Sequence, residues 1–198
     1  MEPVKFKSLE DRALDNLKSM LLARGFKGDG FEAVGSPPDE TAMYTFGGML
    51  IVFSNKTRVS DRDMKSFITY ASDNGHTSGM IVVTHSKASE AVLDFIRDYI
   101  SKPENVLVQL FELRKLQIDI PRHRDVPKHR ILSQEEKVEM MRRFNIKDPM
   151  ECPWIDSQDA MAKWIGVRPG DMVEITGLDQ ASATNTRYRY CLTNVYNH

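Results

Sequence analysis

The first half of the chain contains the stretch Gly79-Met-Ile-Val-Val-Thr84, which is apolar almost throughout. A short run without polar alternation is typical of a strand buried on both faces. Helical patterns flank it on both sides. Ser60 with Asp63 favours a helix start that runs to about residue 74, and residues 88–100 carry an apolar stripe at helical spacing. The stretch is therefore predicted to be a central strand in an alternation of strands and helices.

Further elements extend this alternation in both directions. Aromatic and β-branched residues predict a bent strand or a hairpin over 43–54, interrupted at Gly47-Gly48, and another strand over 105–111. A helix is expected to begin after Ser8 and to end at Gly25, followed by a loop over 27–39. One more short strand is predicted over 116–120. Together these elements predict a largely parallel α/β sheet with right-handed crossovers.

The composition changes near residue 120, where a cationic segment interrupted by proline begins. Beyond it, Ser133 and Glu136 predict a capped helix that runs to about residue 144. A short helix is expected over 157–165, and two strands over 173–176 and 186–193 are joined by a polar loop. We therefore predict two domains, residues 1–120 and residues 121–198, the second being a small α+β domain with a mixed sheet.

Composition excludes several functional classes. Hydrophobic residues make up 41% of the chain and charged residues 28%, as in ordinary globular proteins, and the formal net charge is −1. A strongly basic footprint, typical of autonomous DNA-binding proteins, is therefore missing. Cys152 and Cys191 lie far apart without the spacing of a zinc site. We expect no metal, no cofactor, no small-molecule substrate, no secretory signal at Met1 and no membrane partner.

Catalytic patterns are weak. A metal-dependent nuclease needs carboxylates and a lysine on a strand beside the scissile phosphate, and the nearest string is Asp61-Arg-Asp63-Met-Lys65. Asp63 and Lys65 fall in the first turn of a predicted helix, where an acidic residue interacts favourably with the helix dipole. No nucleophile elbow or phosphate-binding glycine loop occurs in the sequence. A nuclease-like enzyme remains an alternative interpretation.

The most informative stretch runs from residue 123 to residue 190. It contains His123-Arg-Asp-Val-Pro-Lys-His129, Asp159-Ala-Met-Ala-Lys-Trp-Ile-Gly166, Arg168-Pro-Gly170 and Tyr188-Arg-Tyr190. In order and spacing these motifs resemble the assembly domain of the fifth subunit shared by eukaryotic nuclear RNA polymerases, which has a counterpart in archaeal RNA polymerase. The resemblance implies a non-catalytic subunit of DNA-directed RNA polymerase with an amino-terminal jaw domain and a carboxy-terminal assembly domain.

The resemblance also implies partners and contact residues. The assembly domain would dock on the largest polymerase subunit and contact other polymerase subunits. The residues expected at that interface are His123, Val126, Pro127, His129, Lys163, Trp164, Gly166, Arg168, Gly170, Tyr188 and Arg189. The family's Asp-Pro-Val-Ala-Arg-Tyr is replaced by Asp159-Ala-Met-Ala-Lys-Trp164, an exchange that gives up the bidentate geometry of arginine. From the residues alone, Trp164 has a second interpretation, because a tryptophan at helical spacing is usually a core residue.

The jaw domain would lie beside downstream duplex DNA. Its candidate DNA-proximal residues are Lys56, Arg58, Ser86 and Lys87. A family turn of sequence Thr-Pro-Ser-Ala is replaced by Ser86-Lys-Ala-Ser89. Because the second domain anchors the first, weak phosphate contacts would act at a high effective concentration. The expected compartment is the nucleus, the nucleolus for a subunit of one polymerase, or a virion or host cytoplasm for a viral protein. A free-standing transcription regulator that carries the assembly domain is a further alternative.

Overall fold

The computed structural model describes residues 7–35, 41–177 and 185–192. The chain packs as two compact units. Within the described residues, unit 1 comprises 7–35, 41–96 and 106–119, and unit 2 comprises 97–105, 120–177 and 185–192. The domain boundary near residue 120 stays a prediction. In the structure, residues 97–105 group with unit 2 although they precede that boundary.

Unit 1 is built on a five-stranded sheet in the order β1-β2-β3-β4-β5. The strands are β1 (Glu32–Ala33), β2 (Ala42–Phe46), β3 (Met49–Phe53), β4 (Met80–Thr84) and β5 (Val108–Glu112). Strands β3, β4 and β5 pair in parallel, whereas β1, β2 and β3 pair in antiparallel. Residues 43–54 thus form a hairpin, with Gly47 (φ 56°) and Gly48 (φ 85°) in its two-residue turn. The α/β class is confirmed, but the antiparallel hairpin makes the sheet mixed.

Three helices accompany this sheet: α1 (Leu9–Ala23), α2 (Asp61–Asp73) and α3 (Glu90–Ser101). Capping boxes at Ser8 and Ser60 start α1 and α2, as the sequence predicts. Lys65 Nζ of α2 lies 5.5 Å from the ring centroid of Phe95 in α3, so the two helices are neighbours. Every residue of β4 is buried, which confirms the interpretation of the apolar run.

The predicted strand over 116–120 is wrong. The chain instead forms a 3₁₀ helix over Leu113–Gln117, in which Leu113 and Leu116 are both buried. A spacing of three residues brings both side chains to one face of a 3₁₀ helix. Side-chain amides fasten this segment to α1: Asn16 Nδ2 donates to the Leu116 carbonyl at 2.7 Å, and Gln117 Nε2 donates to the Leu9 carbonyl at 2.9 Å.

Unit 2 contains a four-stranded sheet in the order β6-β8-β9-β7. Its elements are β6 (Lys128–Ile131), α4 (Gln134–Arg143), β7 (Trp154–Asp156), α5 (Ala160–Ile165), β8 (Met172–Gly177) and β9 (Asn185–Leu192). The β7–β9 pair is parallel and the other two pairs are antiparallel. Met172 packs with Met140 of α4, and the adjacent Val173 packs with Ala162 of α5. Because neighbouring strand residues point to opposite faces, α4 and α5 cover opposite faces of the sheet.

The local predictions for unit 2 largely agree with the structure. α5 begins later than residue 157, because the Asp159 carboxylate accepts hydrogen bonds from the Met161 and Ala162 amides and caps the helix there. Gly166 ends it at φ 82° in the left-handed region. Strands β6 and β7 were not predicted. Residues 178–184 of the predicted polar loop and residue 193 of the last predicted strand lie outside the described residues. Within the described part of the chain, no helix is long and apolar enough to cross a bilayer.

Candidate assembly surface

A groove of about 350 Å³ lies on the α5 face of the unit 2 sheet. Strand pairing places three of its lining residues side by side, because His129 of β6 pairs with Ile175 of β8, which pairs with Arg187 of β9. Residues at i and i+2 of a strand share a face, so Arg189 lies on the same side as Arg187. The lining residues are Pro127, His129, Ile155, Asp159, Ile175, Arg187 and Arg189. We call this the basic groove.

The predicted interface residues of the basic groove are held by specific contacts. The Pro127 ring packs on Gly177, where an added Cβ would meet Pro127 Cβ at 3.2 Å. His129 Nδ1 lies 2.8 Å from the Pro127 carbonyl oxygen. Arg189 Nη1 donates to the Trp154 carbonyl at 2.8 Å. The fixed φ of proline and these short contacts hold the groove in one shape.

Arginine gives this groove its charge. Arg187 is exposed, and no hydrogen bond or ion pair of its side chain is formed with any residue that the structure describes. Asp159 is the acidic residue of the lining, and its carboxylate is engaged by two helix amides. The groove therefore presents guanidinium donors that suit a carboxylate. Sequence reasoning missed Arg187, although its position two residues before Arg189 on a predicted strand could have indicated it.

Tyr188 faces the opposite side of the sheet. Its ring centroid lies 5.7 Å from that of Phe144. Burial, followed by the neighbouring Glu174 carboxylate, raises the pKa of the Tyr188 hydroxyl. A second cavity of about 390 Å³ opens here, and we call it the apolar groove; it is lined chiefly by Met140, Phe144, Ile146, Cys152, Pro153 and Tyr188. Thr186, Arg187 and Arg189 also border this cavity. Strand alternation nevertheless directs the side chains of Tyr188 and Arg189 to opposite faces of the sheet.

Several other predicted interface residues support the unit from within. Trp164 is only 4% exposed, so its indole packs inside unit 2. Arg168 Nη1 donates to the Asn105 carbonyl at 2.8 Å, and its amide donates to the Asp171 carboxylate at 2.7 Å. Gly170 has φ 95°, and its carbonyl accepts from Lys137 Nζ at 2.9 Å. Lys163 is half-buried on α5, beside the Gly166 cap.

The segment that opens unit 2 carries the remaining predicted residues. His123 is exposed, and its Nδ1 accepts a hydrogen bond from the Asp125 amide at 3.3 Å. Val126 is half-buried, and its amide donates to the His123 carbonyl at 3.1 Å. This local turn leads directly into Pro127 and β6. His123 is therefore presented to solvent, whereas Pro127 lies against Gly177 at the end of β8.

The four predicted DNA-proximal residues of unit 1 lie in two loops that touch. Lys56 and Arg58 follow β3, and Ser86 and Lys87 follow β4. The Ser86 hydroxyl donates a short hydrogen bond to the Thr57 carbonyl, which joins the loops. Because β3 and β4 are parallel neighbours, the loops that follow them both lie at the carboxyl end of these strands. Lys87 and Arg58 are exposed there.

The Lys56 ammonium is engaged in the structure. Its Nζ lies 2.5 Å from Asp63 Oδ1. Burial acts to raise the pKa of Asp63, but hydrogen bonds from Lys56 and Ser60 outweigh it and lower that pKa to about 2. Asp63 therefore caps α2 and pairs with a lysine, and it is not placed on a strand as nuclease chemistry requires. Among the residues that the structure describes, no group of three His, Cys, Asp or Glu side chains could hold a metal ion.

Comparison with known proteins identifies the family. Residues 118–191 match the family described as RNA polymerase Rpb5, C-terminal domain. The DNA-directed RNA polymerase subunit Rpo5 of Sulfolobus acidocaldarius is 42% identical over 79 residues, which are 40% of this chain and 93% of that protein. The chain belongs to the Rpb5 family of RNA polymerase subunits. Unit 2 is the part similar to the archaeal protein.

Eukaryotic relatives align over more of the chain. The Dictyostelium discoideum protein named DNA-directed RNA polymerases I, II, and III subunit rpabc1 is 26% identical over 145 residues, 72% of this chain and 71% of the relative. The Arabidopsis thaliana protein named DNA-directed RNA polymerases IV and V subunit 5B is 27% identical over 144 residues, 73% of this chain and 60% of the relative. The Rpb5 family is a non-catalytic polymerase subunit, so its members function in transcription as part of the polymerase complex.

Proposed function

We propose that this Rpb5-family chain docks through unit 2 on the largest subunit of a nuclear RNA polymerase. One observation carries the proposal. The archaeal relative is matched over 93% of its length by a segment that is only 40% of this chain. A protein that consists almost entirely of the unit 2 counterpart is itself a polymerase subunit, which supports placing the docking surface in the shared unit.

The surface of unit 2 supports this role. Three of the predicted docking residues, Pro127, His129 and Arg189, line one groove and are fixed there by short contacts. Arginine residues dominate many protein interfaces because the guanidinium group combines a planar apolar face with five donors. Contacts with other polymerase subunits would use the exposed segment that contains His123.

For unit 1 we propose a place beside downstream duplex DNA, as part of the jaw of the polymerase. The loops after β3 and β4, joined by the hydrogen bond from Ser86 to Thr57, place Arg58 and Lys87 at the same end of the sheet. With a net charge of −1 the chain has no long-range attraction for DNA. Held in place by unit 2, a few lysine and arginine residues would still contact phosphates at a high effective concentration. The nucleus is the compartment that this function implies.

Affinity purification tests the proposal. The tagged full-length chain, expressed in its own cells, should retain the two largest polymerase subunits in stoichiometric amount through a wash at high salt. Mass spectrometry of these subunits would identify the polymerase class. Recovery of polymerase only in substoichiometric amount would instead indicate a free-standing regulator. Cleavage of duplex DNA by the pure chain with magnesium or manganese, lost on Asp63→Ala, would indicate an enzyme.

A further inference from the structure

Strand β9 is paired on both sides along only part of its length. Strand β7 pairs with Tyr190, Cys191 and Leu192. Residues 185–189 pair with β8 on one side, and no strand in the described part of the chain pairs with them on the other. An unpaired row of backbone donors and acceptors is a template for pairing with another chain.

The direction of the backbone groups follows from the hydrogen bonds at the paired end. The Tyr190 amide donates to the Pro153 carbonyl on the β7 side at 2.9 Å, whereas the Cys191 amide donates to the Asp171 carbonyl on the β8 side at 2.9 Å. Backbone groups alternate in direction along a strand. The amides and carbonyls of Thr186 and Tyr188 therefore point to the open side.

The sequence explains why the β7 ladder stops at Tyr190. If the parallel pairing of β7 with β9 continued toward the amino ends of both strands, the Tyr188 carbonyl would accept a hydrogen bond from the amide of residue 153. That residue is proline, which has no N–H to donate. The chain before it turns away into the 3₁₀ helix Pro149–Glu151. Pro153 thus leaves residues 185–189 of β9 without a partner among the described strands on this side, and we call this stretch the open half-edge.

The two faces beside this half-edge have different chemistry. On the α4 face it borders the apolar groove, where Phe144 remains 51% exposed and Glu151 contributes an acidic residue to the lining. Arg187 and Arg189 border both grooves, and strand alternation directs their side chains to the α5 face. An added strand would place successive side chains alternately into these two environments.

We propose that residues 185–189 accept an extended segment of another polypeptide as an added β-strand. Its side chains alternate between apolar residues, which fill the apolar groove, and acidic residues, which pair with Arg187 and Arg189. The acidic positions are assigned to the α5 face because strand alternation directs the Arg187 and Arg189 side chains there, whereas Glu151 adds a like charge to the lining of the apolar groove. Backbone hydrogen bonds to Thr186 and Tyr188 supply affinity, and the alternation supplies specificity. This inference rests on the proposed docking function and names the chemistry of the docked segment.

Two substitutions at an exposed residue test the added strand. Thr186→Pro removes the outward amide and should lower recovery of the large polymerase subunits by about tenfold, whereas Thr186→Val keeps the amide and should recover them as the parent does. Equal recovery by the proline and valine variants would overturn strand addition and leave the docking function standing. Failure of the parent chain itself to recover polymerase would overturn both.

A second measurement does not depend on the folding of the proline variant. A photo-crosslinking amino acid at position 186 of the full-length chain should crosslink, in the purified complex, to a partner segment with alternating apolar and acidic residues. Crosslinks to a partner segment without this alternation, or to residues 178–184 or 193–198 of the same chain, would overturn the proposal. The charge assignment is checked by Arg187→Glu, which should weaken recovery about tenfold, while Arg187→Lys should retain most of it.

Discussion

At the scale of single residues, neighbours in sequence serve different functions because strands alternate. Arg187 and Arg189 line the basic groove, and Tyr188 between them faces the apolar groove. The sequence pattern singled out Tyr188 and Arg189 together as interface residues. Only the register of β8 and β9 shows that their side chains point to opposite faces of the sheet.

Pro127 offers a test of the basic groove. Pro127→Gly should lower recovery of the large polymerase subunits several-fold, because glycine frees the backbone that aims His129 and removes the ring that packs on Gly177. The circular dichroism of the chain should be unchanged. Pro121→Gly is the matched control, because Pro121 is exposed in the 3₁₀ helix Ile120–Arg122. If both variants assemble as the parent does, the ring of Pro127 has no part in docking.

Lys87 offers a test of the DNA contact. In the assembled polymerase, Lys87→Glu should weaken retention of downstream duplex DNA. The negative slope of log affinity against log salt concentration should become shallower by about one, because one phosphate contact is lost. The measurement is a salt titration of bound DNA. Lys27→Glu makes the same charge change at the other end of β3, since Lys27 lies against the Gly47 turn. Identical salt slopes for the Lys87 and Lys27 variants would remove Lys87 from the proposed contact.

At the scale of elements, helix starts were the most predictable features. Ser8, Ser60 and Ser133 all cap their helices with an acidic residue three positions later, as the sequence pattern indicates. A capping box involves only neighbours in sequence, so no distant contact is needed to predict it. Part of the 3₁₀ helix over Leu113–Gln117 was mistaken for a strand because its contacts are with α1, at least a hundred residues away in sequence.

The cap of α2 should contribute stability that depends on pH. Because Asp63 has a lowered pKa of about 2 when folded and an ordinary value of 3.8 otherwise, its contribution is present above pH 3.8 and is lost as the pH falls toward 2. Asp63→Ala should therefore lower the free energy of unfolding by about 1 kcal/mol at pH 7. This difference should shrink only below about pH 4.

Denaturant titration at several pH values measures this difference. Asp61→Ala is the control, because Asp61 lies in the same first turn but does not pair with Lys56 or cap Ser60. Asp61→Ala should lower the free energy of unfolding only by the contribution of one carboxylate to the helix dipole, about 0.3 kcal/mol. A penalty for Asp63→Ala that remained unchanged down to pH 2 would contradict the assignment of the stability to the ionised carboxylate.

At the scale of the whole molecule, unit 2 includes residues that precede the predicted boundary. Arg97, which is 4% exposed, places Nη2 3.2 Å from Asp156 Oδ2, and Arg168 bonds the Asn105 carbonyl. These contacts explain why residues 97–105 group with the second unit. No local sequence signal could reveal this, because each contact joins residues about 60 positions apart.

The Arg97–Asp156 pair should be important for the stability of unit 2. Arg97→Met should lower the free energy of unfolding by about 3 kcal/mol, because it leaves a carboxylate in a partly buried site without its cation. The double variant Arg97→Met with Asp156→Asn should recover much of the loss. Urea titration of the four proteins gives the coupling energy. If the two single losses simply add in the double variant, the pair is not a coupled unit.

The sequence by itself determined the class of the fold, the capped helix starts, the buried strand at 79–84 and the family, because each depends on short-range patterns or on motif order. It also contained Pro153, which ends the β7 ladder. The tertiary structure alone decided which predicted residues share a surface. It buried Trp164, directed the Tyr188 and Arg189 side chains to opposite faces, joined the loops that carry Arg58 and Lys87, and brought residues 97–105 into unit 2. Strand register and long-range packing set these outcomes, and they depend on residues that are distant in the chain.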